Sequence, residues 1–149
     1  MKATELMIGC WVNFIYKEGC RSVQIVAIDS ERKFRDKEGS VRCLVDDEGT
    51  TCGFWAEQLN PIPLTPEILK KNGFSIDDSF HPHRRWHSAD RRVVLHNEDE
   101  YLNTFNKWHV HIDTEDMRTI GSIELTYVHQ LQQFLRLCGM NELADSFKI

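Results

Sequence analysis

Tyr127–Gly139, YVHQLQQFLRLCG, is the stretch whose reading decides the fold. At about 100° per residue, Phe134, Tyr127, Cys138, Leu131, Leu135 and Val128 fall within one arc roughly 120° wide. His129, Gln130, Gln132, Gln133 and Arg136 occupy the opposite side, and Leu137 is the one apolar residue out of place. Gly139 supplies a left-handed stop, with Met140 as the apolar residue that packs back on the helix. Asn141 then caps a last turn, Glu142–Phe147. An amphipathic helix of this kind must lay its apolar arc on a sheet. Its polar side carries a single charge, Arg136, beside His129 and three glutamines. That is unusual for a merely wet surface: the face is expected to meet either the N-terminal barrel or a second copy of the chain, with His129, Gln130 and Gln133 as the candidate partner surface.

The nearest candidate sheet lies just upstream. Lys107–Asp113, KWHVHID, alternates strictly, with Trp108, Val110 and Ile112 on one face and His109, His111 and Asp113 on the other. Arg92–His96 precedes it as a strand, and Thr119–Thr126 follows with Ile123 and Leu125 alternating. The expected arrangement is an antiparallel sheet over 61–149 whose apolar face, Trp108, Val110, Ile112, Ile123 and Leu125, is covered by the C-terminal helix.

His81–Arg92, HPHRRWHSADRR, holds three of the seven histidines and four arginines. Neutral imidazoles are good ligands for Zn or Ni, so a metal centre would draw on His81 and His83, helped by His87 and Asp90, or on His81 and His83 with the strand pair His109 and His111. The spacing fits no standard finger or protease pattern, and Pro82 restricts convergence. A single-stranded nucleic-acid patch would place Arg84, Arg85, Arg91 and Arg92 on phosphates and use Trp86 as a stacking plate. A third reading is a polar loop leading into a strand, with Trp86 against the core and the arginines solvated or paired with Asp77, Asp78 and Glu98.

Further upstream, Asn60-Pro-Ile-Pro-Leu64 holds the chain extended. Thr65 then offers an N-cap, Pro66 a first helical residue, Glu67 a carboxylate for the helix dipole, and Gly73 a stop, which predicts a helix over Pro66–Asn72. The proline segment is the expected boundary between 1–60 and 61–149. The first part is a string of β-type runs: Trp11–Tyr16, Val23–Ile28, Val41–Val45 and Thr50–Trp55, joined by polar turns. The Ile8-Gly9-x-x-Val12 opening followed by VQIVAI resembles the start of SH3-like barrels, where a glycine lets the chain bend into its first strand. The expected fold class is therefore α+β: an N-terminal small SH3-like β-barrel, a short helix, and an antiparallel sheet covered by a C-terminal helix. Trp11, Tyr16, Phe54 and Trp55 are expected mainly in the barrel core.

The 149-residue chain has a formal net charge of −5 and 41% hydrophobic residues. That acidic balance argues against phosphate-backbone binding as the whole protein's business. No apolar run approaches a membrane span, no export-type leader is visible at MKATELMIGCWVNF, and the five cysteines form no Cys-x-x-Cys pair. Reduced, mostly buried thiols and a cytoplasmic location are the expectation. P-loop, dinucleotide fingerprint, nucleophile elbow and His-Glu-x-x-His are all absent, so no catalytic residue and no cofactor is assigned.

Three segments carry a wider resemblance: Ile8-Gly-Cys-Trp-Val12, Leu59–Phe74 (LNPIPLTPEILKKNGF) and Tyr127-Val-His-Gln-Leu-Gln132. Together they resemble a family of small uncharacterised proteins of Bacteroides-type bacteria and their phages or mobile elements. The resemblance implies a phage- or element-associated accessory protein and transfers no activity or site residue. The function expected is a non-enzymatic binding module acting on a protein partner or by self-association. The alternatives are the nucleic-acid patch and a metal-dependent enzyme.

Overall fold

The structure, a computed structural model, describes residues 1–2, 5–16, 19–34, 37–44, 48–77, 85–97, 107–113 and 119–149, the side chains of 30–38 and 120–121 excepted. It is α+β, with two antiparallel sheets and few helices, and it divides into two compact units. The first unit is Met1–Ile62 with Tyr127–Phe147 and Ile149; the second is Pro63–Thr126 with Lys148. The expected division at residue 60 gave Tyr127–Phe147 to the second module. In the structure that segment belongs with the N-terminal strands.

In the first unit, β1 (Trp11–Tyr16), β2 (Gly19–Phe34), β3 (Lys37–Leu44), β4 (Thr51–Trp55) and β5 (Leu59–Asn60) form one sheet in the order β4-β3-β2-β1-β5. A 3-10 turn, Ala56–Gln58, joins β4 to β5. The sheet does not close, since β4 and β5 remain its two edges. Pairing sets Val12 against Val23, Ile25 against Cys43 and Val41 against Phe54. The register shifts between Ile25 and Ala27, a bulge that bends the long second strand. Val12, Val23, Ile25, Val41, Cys43 and Leu59 form the core, with Phe14 and Phe54 packed partly against it. Three of the four aromatics expected mainly in the core depart from that: Tyr16 is exposed, Trp55 is half-buried outside this cluster, and Trp11 is half-buried with its indole N–H donating to the Phe147 carbonyl at 2.8 Å.

Helix α2 (Val128–Leu137) ends as its sequence predicts. Gly139 sits at φ 76°, its N–H donates to the Arg136 carbonyl at 3.0 Å, and the Met140 N–H donates to Leu135 at 2.8 Å. The buried face is another matter. Val128, Leu131 and Leu135 are buried as expected, but so are His129 and Gln132, while Cys138 is exposed and Phe134 only half-buried. The covered arc is thus turned by about 80° toward the polar side. The physical reason is Gln132, whose amide is fully buried because its backbone partners satisfy it. It accepts from Trp11 N–H at 2.9 Å and donates to the carbonyls of Ala144 at 2.9 Å and Gly9 at 3.3 Å. Gly9 is required here: its φ is 83°, and a Cβ would lie 2.5 Å from Arg136 Nη2. Arg136 in turn pairs with Asp145 of α3 (Asn141–Asp145) at 2.8 Å.

In the second unit, helix α1 (Pro66–Lys71) starts at Thr65, whose hydroxyl accepts from Ile68 N–H at 3.4 Å, and stops at Gly73 with φ 78°. The sheet runs β10-β9-β8-β7-β6, built from β6 (Ser75–Asp77), β7 (Arg85–His87), β8 (Val93–His96), β9 (Trp108–Asp113) and β10 (Thr119–Leu125). Trp86, Val93, Leu95, Trp108, Val110 and Ile112 are buried. Trp108 donates to the Leu64 carbonyl at 2.9 Å and meets Trp86 edge-on, 6.5 Å between centroids at 78°. Leu125 is buried as expected, but Ile123 is 45% exposed because β10 is an edge strand.

All five cysteines are free, yet only Cys10 and Cys43 are buried. Cys20, Cys52 and Cys138 are exposed, against the expectation of mostly buried thiols. Burial pushes the Cys43 thiol up to about 12, with the neighbouring Cys52 adding to the shift. No helix among the described residues is long and apolar enough to cross a membrane.

Candidate functional site

The first unit gathers the three residues of the expected partner surface into one cleft of about 380 Å³. The start of α2 supplies Tyr127, His129, Gln130 and Gln133, while Glu5, Pro61 and Met1 face them. The main chain fixes this geometry. Val128 N–H donates to the Ile62 carbonyl at 2.9 Å, tying the helix start to the chain leaving β5. Gln130 folds back so that its Oε1 accepts from Tyr127 N–H at 3.1 Å, a capping contact made by an amide. Gln133 Nε2 donates to the Glu5 carbonyl at 2.8 Å. Tyr127 and His129 stack nearly parallel, 5.8 Å apart at 11°.

Among the residues lining this cleft, His129 is the one with a buried polar atom left without a partner. It is 4% exposed, and its Nδ1 is buried with no hydrogen-bond partner. A buried polar atom left unpaired costs free energy, and buried groups are nearly always satisfied. Desolvation lowers the pKa of His129 below the ordinary 6.5, and Glu5 opposes that shift. The imidazole is therefore neutral at pH 7. Because the folded pKa is depressed, the unfolded chain binds the proton more readily. Stability contributed by His129 is full above pH 6.5 and is lost as pH falls from there through the lower folded value. The urea midpoint of the wild-type protein is expected to drop between pH 7 and pH 5 by more than that of a His129→Gln variant. Equal drops would show that His129 is not the titrating group.

A second depression, also of about 380 Å³, lies on the outer side of β2, β3 and β4. Arg42 stands at its centre between Ala27 and Gly53, with Asp29 and Trp55 at one end. Sequence reasoning placed Phe54 and Trp55, which line it, mainly in the core and did not single out Arg42 or Gly53. The available signal was Gly53 inside the strand run TCGFW, since a strand glycine often marks a place left open beside the backbone.

The second unit separates the remaining candidates. His81, His83 and Arg84 lie outside the described residues. Arg85 and His87 flank Trp86 on β7, a strand where a polar loop was one reading, and Trp86 itself is 2% exposed. Its ring packs on Trp108 and lies 5.9 Å below Lys70 Nζ, so it offers no free plate for a base. Arg91 pairs with Asp77 at 2.8 Å, one of the pairings the third reading named, and Arg92 is exposed with its N–H donating to Asp90.

His109 and His111 share the sheet face opposite the core, as their alternation predicts, and cross-strand pairing brings His96 and His87 to the same face. His96 stacks on His109 at 5.1 Å and approaches His111 at 6.1 Å, while His111 Nε2 lies 3.7 Å from Asp113 Oδ1. Among the described residues no three His, Cys, Asp or Glu converge as a metal ion would require. Both ring nitrogens of His87 are buried and unpartnered, and desolvation, reinforced by Arg91, lowers its pKa. Comparison with family models, with curated proteins and with solved structures finds no match for the chain.

Proposed function

We propose that this chain is a non-enzymatic binding module that works by contact with a protein partner, and that the cleft at the start of α2 is where the partner is held. One observation carries the reading: His129, buried and with an unsatisfied ring nitrogen, forms a wall of a cleft that also gathers Gln130 and Gln133. Concave sites with an apolar or aromatic wall and a few convergent polar groups are the usual places for ligands. The first unit is read as an SH3-like fold. The strand order β4-β3-β2-β1-β5, the bent second strand and the 3-10 turn between the last two strands support that reading. Ile8–Val12, Leu59–Phe74 and Tyr127–Gln132 further support an accessory role in a phage or mobile element.

Selection of displayed random peptides on the wild-type protein tests the proposal, with Gln133→Trp as the blocked cleft and its circular dichroism as the folding control. Selected peptides are expected to bind the wild type with Kd on the order of 1 μM. The variant should bind them at least tenfold more weakly, about 1.4 kcal/mol. Equal binding to both proteins would overturn the proposal.

A further inference from the structure

Of the five cysteines, Cys43 and Cys52 are the two that strand pairing sets directly opposite each other, on β3 and β4. Cys20 faces Ile15 instead, and the Cys10 sulfur takes a contact from Arg136 Nη1 at 3.4 Å. Opposed residues of an antiparallel pair point to the same side of the sheet. For this pair that side is the core: Cys43 belongs to it, and Phe54, two residues from Cys52, packs against it. Directly opposed residues have Cα atoms about 4.5 or 5.5 Å apart, and a disulfide spans roughly 4.4–6.8 Å. Their Cβ atoms start about 4.5–5.5 Å apart and must close to roughly 4 Å. Strand β4 can make that small movement because it is an edge strand, with β3 as its one neighbour in the sheet.

Exposure and burial divide the work between the two thiols. Cys52 is exposed, so an oxidant in solution reaches it, while Cys43 is fully buried. Burial pushes the Cys43 thiol up to about 12, and Cys52 adds to that shift, as two neighbouring thiols should. A protonated, shielded thiol is a poor first target, but this one is placed to attack an oxidised neighbour. The geometry points to a reversible cross-strand disulfide between Cys43 and Cys52, formed when the protein meets hydrogen peroxide. The Cys52 thiolate attacks the peroxide, an S–O bond forms as the O–O bond breaks, and the products are a sulfenic acid and water. The Cys43 sulfur then attacks the Cys52 sulfur. The S–S bond forms, the S–O bond breaks, and the leaving hydroxide carries the Cys43 proton away as water. The two thiols are oxidised together, and the peroxide is reduced to water. The bond closes the β3–β4 connection into a ring and pins the edge strand to the sheet. It does not depend on what the α2 cleft binds.

Treatment of the full chain, at low protein concentration, with hydrogen peroxide and then mass spectrometry without reductant tests it. No Lys or Arg lies between Cys43 and Cys52, so glutamyl endopeptidase is used, which cuts at Glu48 and leaves the two cysteines on separate peptides. The wild-type monomer is expected to lose two hydrogens and to yield those peptides joined, and dithiothreitol should separate them. Amides of β4 should exchange roughly tenfold more slowly in the oxidised protein, because the cross-link restrains opening of the edge. Cys52→Ser changes an exposed side chain, should fold as the wild type does, and should keep both hydrogens. Cys43→Ala removes the resolving thiol and should leave a Cys52 sulfenic acid that dimedone captures. Oxidation of wild-type Cys52 to sulfinic acid with no cross-link, joining of either cysteine to Cys20 or Cys138 instead, or a hydrogen loss that survives in Cys52→Ser would overturn the proposal.

Discussion

Gln132→Met is expected to destabilise the first unit by roughly 3 kcal/mol, although it hardly changes side-chain volume and replaces a polar residue by an apolar one in a core. The methionine fits the space but cannot hydrogen-bond. The Gly9 carbonyl keeps a second donor in Gln24 Nε2 at 3.1 Å, so its loss is small. Trp11 N–H and the Ala144 carbonyl lose the amide that reaches both of them, at 2.9 Å each. Each orphaned buried group costs about 1–3 kcal/mol, and two of them account for the total. A domain's whole stability is about 5–15 kcal/mol, so the shift in urea midpoint would be plain. Gln133→Ala gives the comparison: it removes a single bond, to the Glu5 carbonyl, from an exposed setting, and should change stability by less than about 1 kcal/mol. If Gln132→Met were as mild as Gln133→Ala, the α2 packing described above would be wrong.

Trp108→Ala is expected to have an effect of at least the same size in the second unit. Trp108 is fully buried on β9, fills the space against Trp86 and donates to the Leu64 carbonyl at 2.9 Å. Truncating a core tryptophan typically costs about 3–5 kcal/mol through lost transfer energy and the cavity that remains. Here an unpaired carbonyl adds to that. Trp108→Phe should retain much of the burial and lose about 1–2 kcal/mol, mainly the hydrogen bond and the fit to Trp86. Amide hydrogen exchange at Val94, Leu95 and Val110 reads this directly. Protection there should fall by roughly 10²–10³ in the alanine variant, if these amides exchange through opening of the unit. Unchanged protection would mean that Trp108 is not central to this core.

Local rules carried most of what the sequence made legible. Thr65-Pro66 and Gly73 bracket α1, and Gly139-Met140 stops α2, because caps and left-handed stops involve residues a few positions apart. Strict alternation over Trp108, Val110 and Ile112 placed β9 and its histidine face for the same reason. Strand β7 was harder, since its one core residue, Trp86, stands between Arg85 and His87 in a run that reads as polar. The polar side of α2 was expected to meet the N-terminal strands or a second copy, and it does lie in the N-terminal unit; which residues it meets there could not be read. Gln132 reads as one more polar side chain until Gly9, Trp11 and Ala144 are known to surround it, and two of those are more than a hundred positions away. The lack of charge on that face was the visible trace: amides can be buried when backbone groups satisfy them, and charged groups rarely can. His129, Gln130 and Gln133 were legible as a set for that reason, whereas Glu5 and Pro61, which complete the cleft, were not.

Amide chemical-shift mapping of the labelled protein with a peptide from the display selection tests the central claim most directly. The largest shifts are expected on Tyr127, His129, Gln130, Gln133 and Glu5, saturating with the measured Kd. Shifts concentrated instead around Arg42, Gly53 and Trp55, or along Arg85–Arg92, with the α2 cleft unmoved, would contradict it.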